Sequence, residues 1–219
     1  MLFFIIIKHN SERVKNKNFK KIGNQELWKH LVTTLKGQKV FIDTDSKKII
    51  KVCNKSFPWV NAYKRDKKFV QLEKIENASP TLLMIKNFLK KYVKDSNEVI
   101  VTTHVTSPFL KLKTIKEAAK KLNFFDSIVA VTKDYNFAWL ENKKKKLIPI
   151  NFNPKIITKT QNLNPIIQSN GAFFIFKKKT FMKHNSRIGK KPYYFEIKFP
   201  ESIEIDVKED LNLARLVCR

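Results

Sequence analysis

The chain has 219 residues, 42% of them apolar and 12% aromatic, which is enough for one hydrophobic core and excludes a disordered protein. Its formal charge of +26 is typical of nucleic-acid-binding proteins, but only five of the 45 cations are arginine and the lysines occur in every segment. The charge therefore indicates an AT-biased coding composition more than a polyanion-binding surface, although nucleic-acid binding stays open as an alternative.

Cysteine content and hydropathy indicate the compartment. Cys53 and Cys218 lie far apart without metal-ligand spacing, so we expect reduced thiols. The apolar N-terminal run is seven residues long, too short for a signal peptide or a membrane span. We expect a soluble, cytoplasmic protein without a membrane partner.

The first 132 residues alternate between predicted strands and predicted helices. The strands are predicted at 2–7, 40–42, 59–63, 98–103 and 126–132, and the helices at 26–35, 47–53, 79–92 (with Ser79 as N-cap) and 114–122. This alternation predicts an α/β fold of three layers, with a mostly parallel sheet between two layers of helices.

The second half of the chain is less regular. Residues 135–168 are polar, rich in lysine and asparagine and only weakly periodic, which indicates an excursion from the sheet. Strands are predicted at 171–176 and 202–206, followed by an amphipathic helix at 207–217. We interpret residues 1–219 as a single domain that includes this excursion.

A polar, cation-rich loop follows the first predicted strand. It contains Lys8, Asn10, Ser11, Arg13 and Lys17. Because ligands of α/β proteins bind where loops leave the carboxyl ends of parallel strands, this loop suggests a phosphate site. A solvated surface loop after a buried strand explains these residues equally well when they are taken alone.

Two late carboxylates suggest a metal. Glu204 and Asp206 alternate on the predicted strand 202–206, so both would face the same way. Two carboxylates on one face suit a hard divalent cation such as Mg²⁺. The acidic outer face of an edge strand is a slightly better explanation of these two residues alone.

The chain has no cysteine–histidine metal motif, no G-x-x-x-x-G-K-[ST] loop and no G-x-S-x-G elbow.

Six short motifs follow one another along the chain. They are IIIKHNSERVKNKN, IDTDS, HVTSP, DSIVAVTK, NGAFFIF and SIEIDVKEDLNLA. In this order they resemble the motifs of the acylneuraminate cytidylyltransferases, the CMP-sialic acid synthetases and their relatives that activate Kdo-type sugar acids. The resemblance implies a Rossmann-like nucleotidyltransferase fold of the nucleotide-diphospho-sugar transferase type. It also implies that CMP is transferred from CTP to the anomeric hydroxyl of a sugar acid, with release of pyrophosphate.

The resemblance further implies a role for particular residues and a homodimer. Nucleotide binding would fall to Lys8, Asn10, Ser11, Arg13, Lys17, Asn18, Asp45 and Ser79, and sugar binding to His104, Lys159, Asn170 and Phe174. Arg13, Lys17 and Asp206 would be catalytic, and Asp206 with Glu204 would hold Mg²⁺. Residues 135–168 correspond to the family's dimerisation arm.

The chain departs from the family pattern at several of these positions. Lys8 replaces an arginine, Ser46 a second acid, His104 a glutamine, Glu204 an aspartate and Gln71 an arginine. These departures leave open a non-catalytic relative that binds a nucleotide or a protein partner. They do not identify the acceptor sugar.

Overall fold

The computed structural model describes residues 1–11, 13–75, 79–156 and 158–218, which contain eleven strands and seven α-helices. The strands are β1 (Leu2–Ile7), β2 (Lys21–Ile22), β3 (Gln25–Glu26), β4 (Lys39–Thr44), β5 (Val60–Lys64), β6 (Val99–Thr103), β7 (Ser127–Asp134), β8 (Trp139–Glu141), β9 (Leu147–Pro149), β10 (Ile166–Lys177) and β11 (Pro192–Glu196). The helices are α1 (Leu27–Thr34), α2 (Lys47–Ser56), α3 (Lys67–Leu72), α4 (Thr81–Tyr92), α5 (Leu112–Ala119), α6 (Lys178–His184) and α7 (Lys208–Val217). Short 3₁₀ turns occupy Lys17–Phe19, Lys120–Asn123 and Thr160–Asn162.

Seven strands form one mixed sheet in the order β11-β7-β10-β6-β1-β4-β5. The strand β1 is parallel to β4 and β6, β4 is parallel to β5, and β7 is parallel to β11. Only β10 runs against both of its neighbours in this sheet, β6 and β7. The predicted α/β fold with a mostly parallel sheet is confirmed.

The interior strand β1 is buried on both faces, which explains its unbroken apolar sequence. Phe3 and Ile5 belong to a core cluster that includes side chains of α1, α2 and α5. On the opposite face, Phe4 stacks on Phe88 of α4 with ring centroids 4.2 Å apart, in a second cluster that includes Phe181 of α6. Helices therefore cover both faces of the sheet, as the three-layer prediction requires.

Several loops converge at one edge of this sheet. Ile7 pairs with Thr44 and Ile5 pairs with Thr103, so the carboxyl ends of β1, β4 and β6 lie side by side. Because β10 is antiparallel, its earlier residues reach the same edge, where Phe173 pairs with Thr103. The predicted polar loops are thus brought together.

The prediction of a strand at residues 202–206 was wrong. This segment is irregular, and Ile203 and Ile205 pack instead against Leu27 and Leu211 in a third, smaller core cluster. The Ile205 N–H donates to the carbonyl oxygen of Thr106 at 2.8 Å, which attaches the segment to the loop after β6. The alternation of apolar and acidic residues arises from this docking, without a strand ladder.

Helices α3 and α6, strand β11 and the short strands β2, β3, β8 and β9 were not predicted, and the start of one helix was displaced. Helix α4 begins at Thr81 with Pro80 as its N-cap, so the assignment of Ser79 as N-cap was wrong. Helices α3 and α6 have six and seven residues, too few to show a helical period. Strand β11 begins with a proline, which an edge strand tolerates because no neighbour needs its missing N–H.

The excursion predicted at 135–168 ends earlier than expected, because β10 already starts at Ile166 and pairs there with Asp134. Within the excursion, β8 and β9 form a hairpin whose Trp139 and Leu147 are exposed. Its role as a dimerisation arm stays a prediction, as does the single-domain interpretation.

Across the described ranges, every helix is too short or too polar to traverse a bilayer.

Candidate active site

The loop after β1 lines a cleft of about 400 Å³ at the convergent sheet edge. Six of the eight predicted nucleotide-binding residues line it, namely Lys8, Asn10, Ser11, Arg13, Lys17 and Asn18. Asn18 closes the loop by donating from Nδ2 to the carbonyl oxygen of Lys8 at 2.8 Å. The loop therefore presents its cations from a fixed backbone.

Lys17 is the buried cation of this loop. Its Nζ donates to the carbonyl oxygen of Ile205 at 2.6 Å and lies 3.1 Å from Asp206 Oδ1. Arg13 reaches the same carboxylate oxygen at 3.3 Å from a largely exposed position. Two cations thus meet one carboxylate, which leaves net positive charge in the cleft for phosphate oxygens.

Both predicted metal carboxylates line the same cleft, but they contact different partners. Glu204 Oε1 accepts from Thr106 Oγ1 at 3.3 Å and lies 3.8 Å from His104 Nδ1. The Glu204 carboxylate packs against Gly171, where a Cβ would lie 2.9 Å from Oε1. Asp206 is held by the loop cations and by its own N–H, which donates to Asp210 at 2.8 Å.

This donor set fits Mg²⁺. Carboxylate oxygens are the ligands that Mg²⁺ prefers, and Mg²⁺ commonly takes one or two of them together with substrate phosphates. Among the described residues, no group of three or more aspartate, glutamate, histidine or cysteine side chains is placed to hold a metal ion. The pair of Glu204 and Asp206 therefore suits an ion that is completed by phosphate.

A buried arginine contacts the end of β1, and no sequence pattern indicated it. Arg65 donates to Asp43 Oδ1 at 2.6 Å, to both oxygens of Glu73 and to the carbonyl oxygen of Ile7. Burial raises the pKa of the Asp43 carboxyl above its ordinary value, and the bond from Arg65 opposes this. Glu73 also lies 3.7 Å from Lys8 Nζ, so the network ties the end of β1 to that loop cation.

Asp45 does not line the cleft, although it was predicted to bind nucleotide. Its Oδ1 accepts from the backbone N–H of His9 at 2.6 Å. Ser46, which caps α2, lies 3.0 Å from the His9 ring nitrogen Nδ1. These two residues therefore anchor the start of the loop that carries the cations.

A second cleft, of about 600 Å³, adjoins the first and shares His104 and Thr81 with it. Phe174 lines this second cleft, and so does Ser79, which was predicted to contact the nucleotide. Asn170 lies nearby on β10, and its buried Nδ2 has no hydrogen-bond partner among the described residues. Lys159 is exposed and lines neither cleft, so the structure does not bring it to the other predicted sugar-binding residues.

Arg187 is a second residue of the site that was not predicted. It lines the second cleft, and its guanidinium carbon lies 3.8 Å from the centroid of the Phe174 ring. Burial lowers the pKa of Arg187 to about 10. Its rarity could have drawn attention to it, since arginine is uncommon in this lysine-rich chain.

Comparison with known proteins agrees with this architecture. Residues 3–218 match the family model described as cytidylyltransferase, so the chain belongs to the cytidylyltransferase family. It is 28% identical over 220 residues to N-acylneuraminate cytidylyltransferase A of Danio rerio, covering 96% of this chain and 49% of that protein. The N-acylneuraminate cytidylyltransferase of Streptococcus agalactiae serotype III (strain NEM316) is 29% identical over 133 residues, covering 58% of this chain and 31% of that protein. The chain thus spans less than half the length of these relatives, and the predicted family resemblance is confirmed.

Solved structures confirm the fold. A 4-diphosphocytidyl-2C-methyl-D-erythritol synthase superposes with a TM-score of 0.71 at 9% identity, covering 100% of this chain and 99% of that one. CMP:2-keto-3-deoxy-manno-octonic acid synthetase complexed with CTP gives a TM-score of 0.66 at 10% identity, covering 99% and 97%. At such low identity these structures establish the fold alone.

Proposed function

We propose that this protein transfers CMP from CTP to the anomeric hydroxyl of a sialic-acid-like sugar acid and releases pyrophosphate. The observation that carries the proposal is the pair of adjoining clefts. The first combines loop cations with two carboxylates, and it opens into the second at His104 and Thr81. This arrangement suits a nucleoside triphosphate in the first cleft and an acceptor in the second, with the reacting groups meeting where the two clefts join.

The first cleft would bind the triphosphate through side chains. Nucleotidyl transfer is promoted mainly by positioning and by neutralising the charge that develops on the phosphates. Arg13 and Lys17 would supply the positive charge that neutralises the phosphates. The binding surface would be completed by Lys8, Asn10, Ser11 and Asn18. Asp45, which holds the backbone of His9, would act by positioning the loop.

Asp206 and Glu204 are the residues that would hold Mg²⁺. The ion, when bound, would supply positive charge and Lewis acidity at the phosphate oxygens. Asp206 forms ion pairs with Lys17 and Arg13, which keep both cations at the cleft wall. Glu204 keeps its orientation through Thr106 and Gly171.

The second cleft would bind the acceptor. His104, Asn170 and Phe174 would contact the sugar, which the names of the curated relatives suggest to be an N-acylneuraminate. We further propose a cytoplasmic homodimer formed through the excursion, because the β8–β9 hairpin exposes Trp139, Leu140 and Leu147.

Pyrophosphate release tests this function. The protein is incubated with CTP, Mg²⁺ and a panel of sialic, legionaminic, pseudaminic and Kdo-type acids. We expect release with at least one acid, no release with ATP or GTP, and loss of release when EDTA removes the metal. No release with any acid would overturn the proposal.

Two other outcomes would identify the alternatives. Metal-dependent CTP binding without turnover would indicate a non-catalytic relative, an alternative motivated by Lys8, Ser46, His104 and Glu204. Tight binding of arbitrary RNA with steep salt dependence, and indifference to CTP, would indicate a nucleic-acid-binding protein, as the +26 charge allows.

A further inference from the structure

Arg187 occupies an unusual position for a cation in this protein. It lies in the connection between α6 and β11, on the wall of the second cleft with His104 and Phe174. The guanidinium group covers the Phe174 ring at 3.8 Å, so the ring restricts its position. A ligand in the cleft would therefore meet Arg187 in the position that the Phe174 ring sets.

The charge of Arg187 is uncompensated within the described part of the chain. Its Nη1 is buried without a hydrogen-bond partner there, and no carboxylate in those residues forms an ion pair with Arg187. Burial lowers the pKa of Arg187 to about 10, so the group is still cationic near neutral pH. A desolvated cation of this kind is costly unless an anion pairs with it.

Arg65 provides an internal comparison. Arg65 is buried, and Asp43, Glu73 and the carbonyl oxygen of Ile7 satisfy its donors. Arg187, by contrast, is only partly buried, lines a cleft and forms no ion pair with a carboxylate among the described residues. The difference points to an external partner for Arg187.

The segment that carries Arg187 is anchored to the sheet. The Asp126 carboxylate accepts from the N–H groups of Lys190 and Lys191 at 2.7 and 2.9 Å. The Gly189 N–H donates to Ser127 Oγ at 2.8 Å, and a Cβ at Gly189 would lie 2.4 Å from Asp126 atoms. The arginine is therefore held in place before any ligand arrives.

We propose that Arg187 is the receptor for the carboxylate of the acceptor and determines the specificity of the second cleft for sugar acids. The planar guanidinium group matches a planar carboxylate through parallel hydrogen bonds. In a 2-keto sugar acid the carboxylate is attached to the anomeric carbon, so holding it would orient the reacting hydroxyl. Ser79, Ser169 and Ser186 on the same wall offer hydroxyl groups to the rest of the sugar. This inference rests on the proposed function and replaces Lys159 as the partner of the carboxylate.

The test pairs a protein change with a ligand change. The best acceptor of the panel and its neutral C1-carboxamide are compared as substrates of the wild type, Arg187→Met and Arg187→Lys, with Lys190→Met as a control on the same connection. A hydrogen-bonded charge pair is worth about 2 kcal/mol, so we expect Arg187→Met to raise the KM for the acid about 30-fold. The KM for CTP and the turnover of the carboxamide should not change, Arg187→Lys should be intermediate, and Lys190→Met should match the wild type.

Several results would overturn the assignment. One is an Arg187→Met variant whose KM for the acid stays within a factor of about three of the wild type. Another is an equal loss on the acid and on the carboxamide. The wild-type protein also provides a test that does not depend on the variants. If it used the acid and the carboxamide equally well, a carboxylate receptor would be excluded even if the variants failed to fold.

Failure of the proposed function would be distinguishable from failure of this inference. If no acid supports pyrophosphate release, calorimetry measures N-acetylneuraminic acid binding to the CTP-loaded protein. Binding by the wild type that Arg187→Met loses supports the receptor without the activity. Equal binding by both proteins, or none by the wild type, overturns it.

Discussion

The ammonium group of Lys17 lies 3.1 Å from the carboxylate of Asp206, although 189 positions separate the two residues in sequence. The same ammonium group donates to the Ile205 carbonyl oxygen, and Arg13 contacts the same carboxylate oxygen as Lys17. These contacts connect the loop after β1 to the segment before α7. The proposed phosphate cations and the proposed metal ligand are therefore assembled as one unit before any ligand binds.

Arg13→Ala should abolish turnover and leave the fold intact. The Arg13 side chain is 66% exposed and contributes little to the core, yet it lines the first cleft and reaches Asp206. We expect at least a ~100-fold loss of kcat/KM, as for removal of a charge-stabilising donor, with an unchanged melting temperature. Lys15→Ala is the control, because Lys15 belongs to the same loop but does not line this cleft. A fully active Arg13→Ala protein would remove Arg13 from the site.

Gly171→Ala should weaken both the fold and the metal-binding pair. Gly171 has a φ of +72°, and a Cβ would lie 2.9 Å from Glu204 Oε1. Gly37→Ala is a matched control, because Gly37 has a φ of +76° and nothing within 4 Å of the added Cβ. Backbone strain alone should cost each variant about 1 kcal/mol of the free energy of unfolding. Only Gly171→Ala should also raise the Mg²⁺ concentration needed for half-maximal activity, and equal Mg²⁺ requirements would contradict the role of Glu204.

Arg65→Met should destabilise the protein strongly. The substitution leaves Asp43 and the partly buried Glu73 without their cation, and breaking a buried pair costs about 3–5 kcal/mol. Urea denaturation should show a much lower midpoint than for the wild type. Lys68→Met, which removes an exposed ion pair with Asp66, should leave the midpoint unchanged. Similar midpoints for Arg65→Met and Lys68→Met would show that the network does not support the fold.

The two thiols should differ in reactivity. Burial raises the pKa of the Cys53 thiol to about 12, so its reactive thiolate is roughly one part in ten thousand at pH 8. Cys218 is partly exposed. Labelling with a thiol reagent at pH 8 should therefore modify one cysteine per native chain and two per denatured chain, and Cys53 should become reactive only as the pH approaches its raised pKa. Rapid labelling of Cys53 in the native protein would contradict its burial.

The sequence predicts the parts of this protein that follow from local pattern. The apolar run of β1 and the polar residues after it locate both an interior strand and the first cleft, because a parallel sheet aligns its carboxyl ends. By contrast, residues 202–206 alternate like a strand but are docked through Ile203 and Ile205. Docking of that kind depends on distant partners, which periodicity does not encode.

Arg65 and Arg187 show that the sequence alone also does not identify every residue of the candidate site. Each is a single cation among 45, and what distinguishes them is burial and the presence or absence of acceptors in space. Lys159 was assigned to the sugar carboxylate by family resemblance, yet it lies outside both clefts. Arg187 reaches the second cleft because Asp126 and Gly189 fix a connection that has no regular structure.

Phosphorus NMR of a mixture of protein, CTP, Mg²⁺ and a sugar acid tests the central claim most directly. We expect the CTP resonances to decline while the phosphodiester resonance of a CMP-sugar and the resonance of pyrophosphate grow in equal amounts. Unchanged CTP with every acid, or CMP and pyrophosphate formed equally well without any acid, would contradict the proposed transfer.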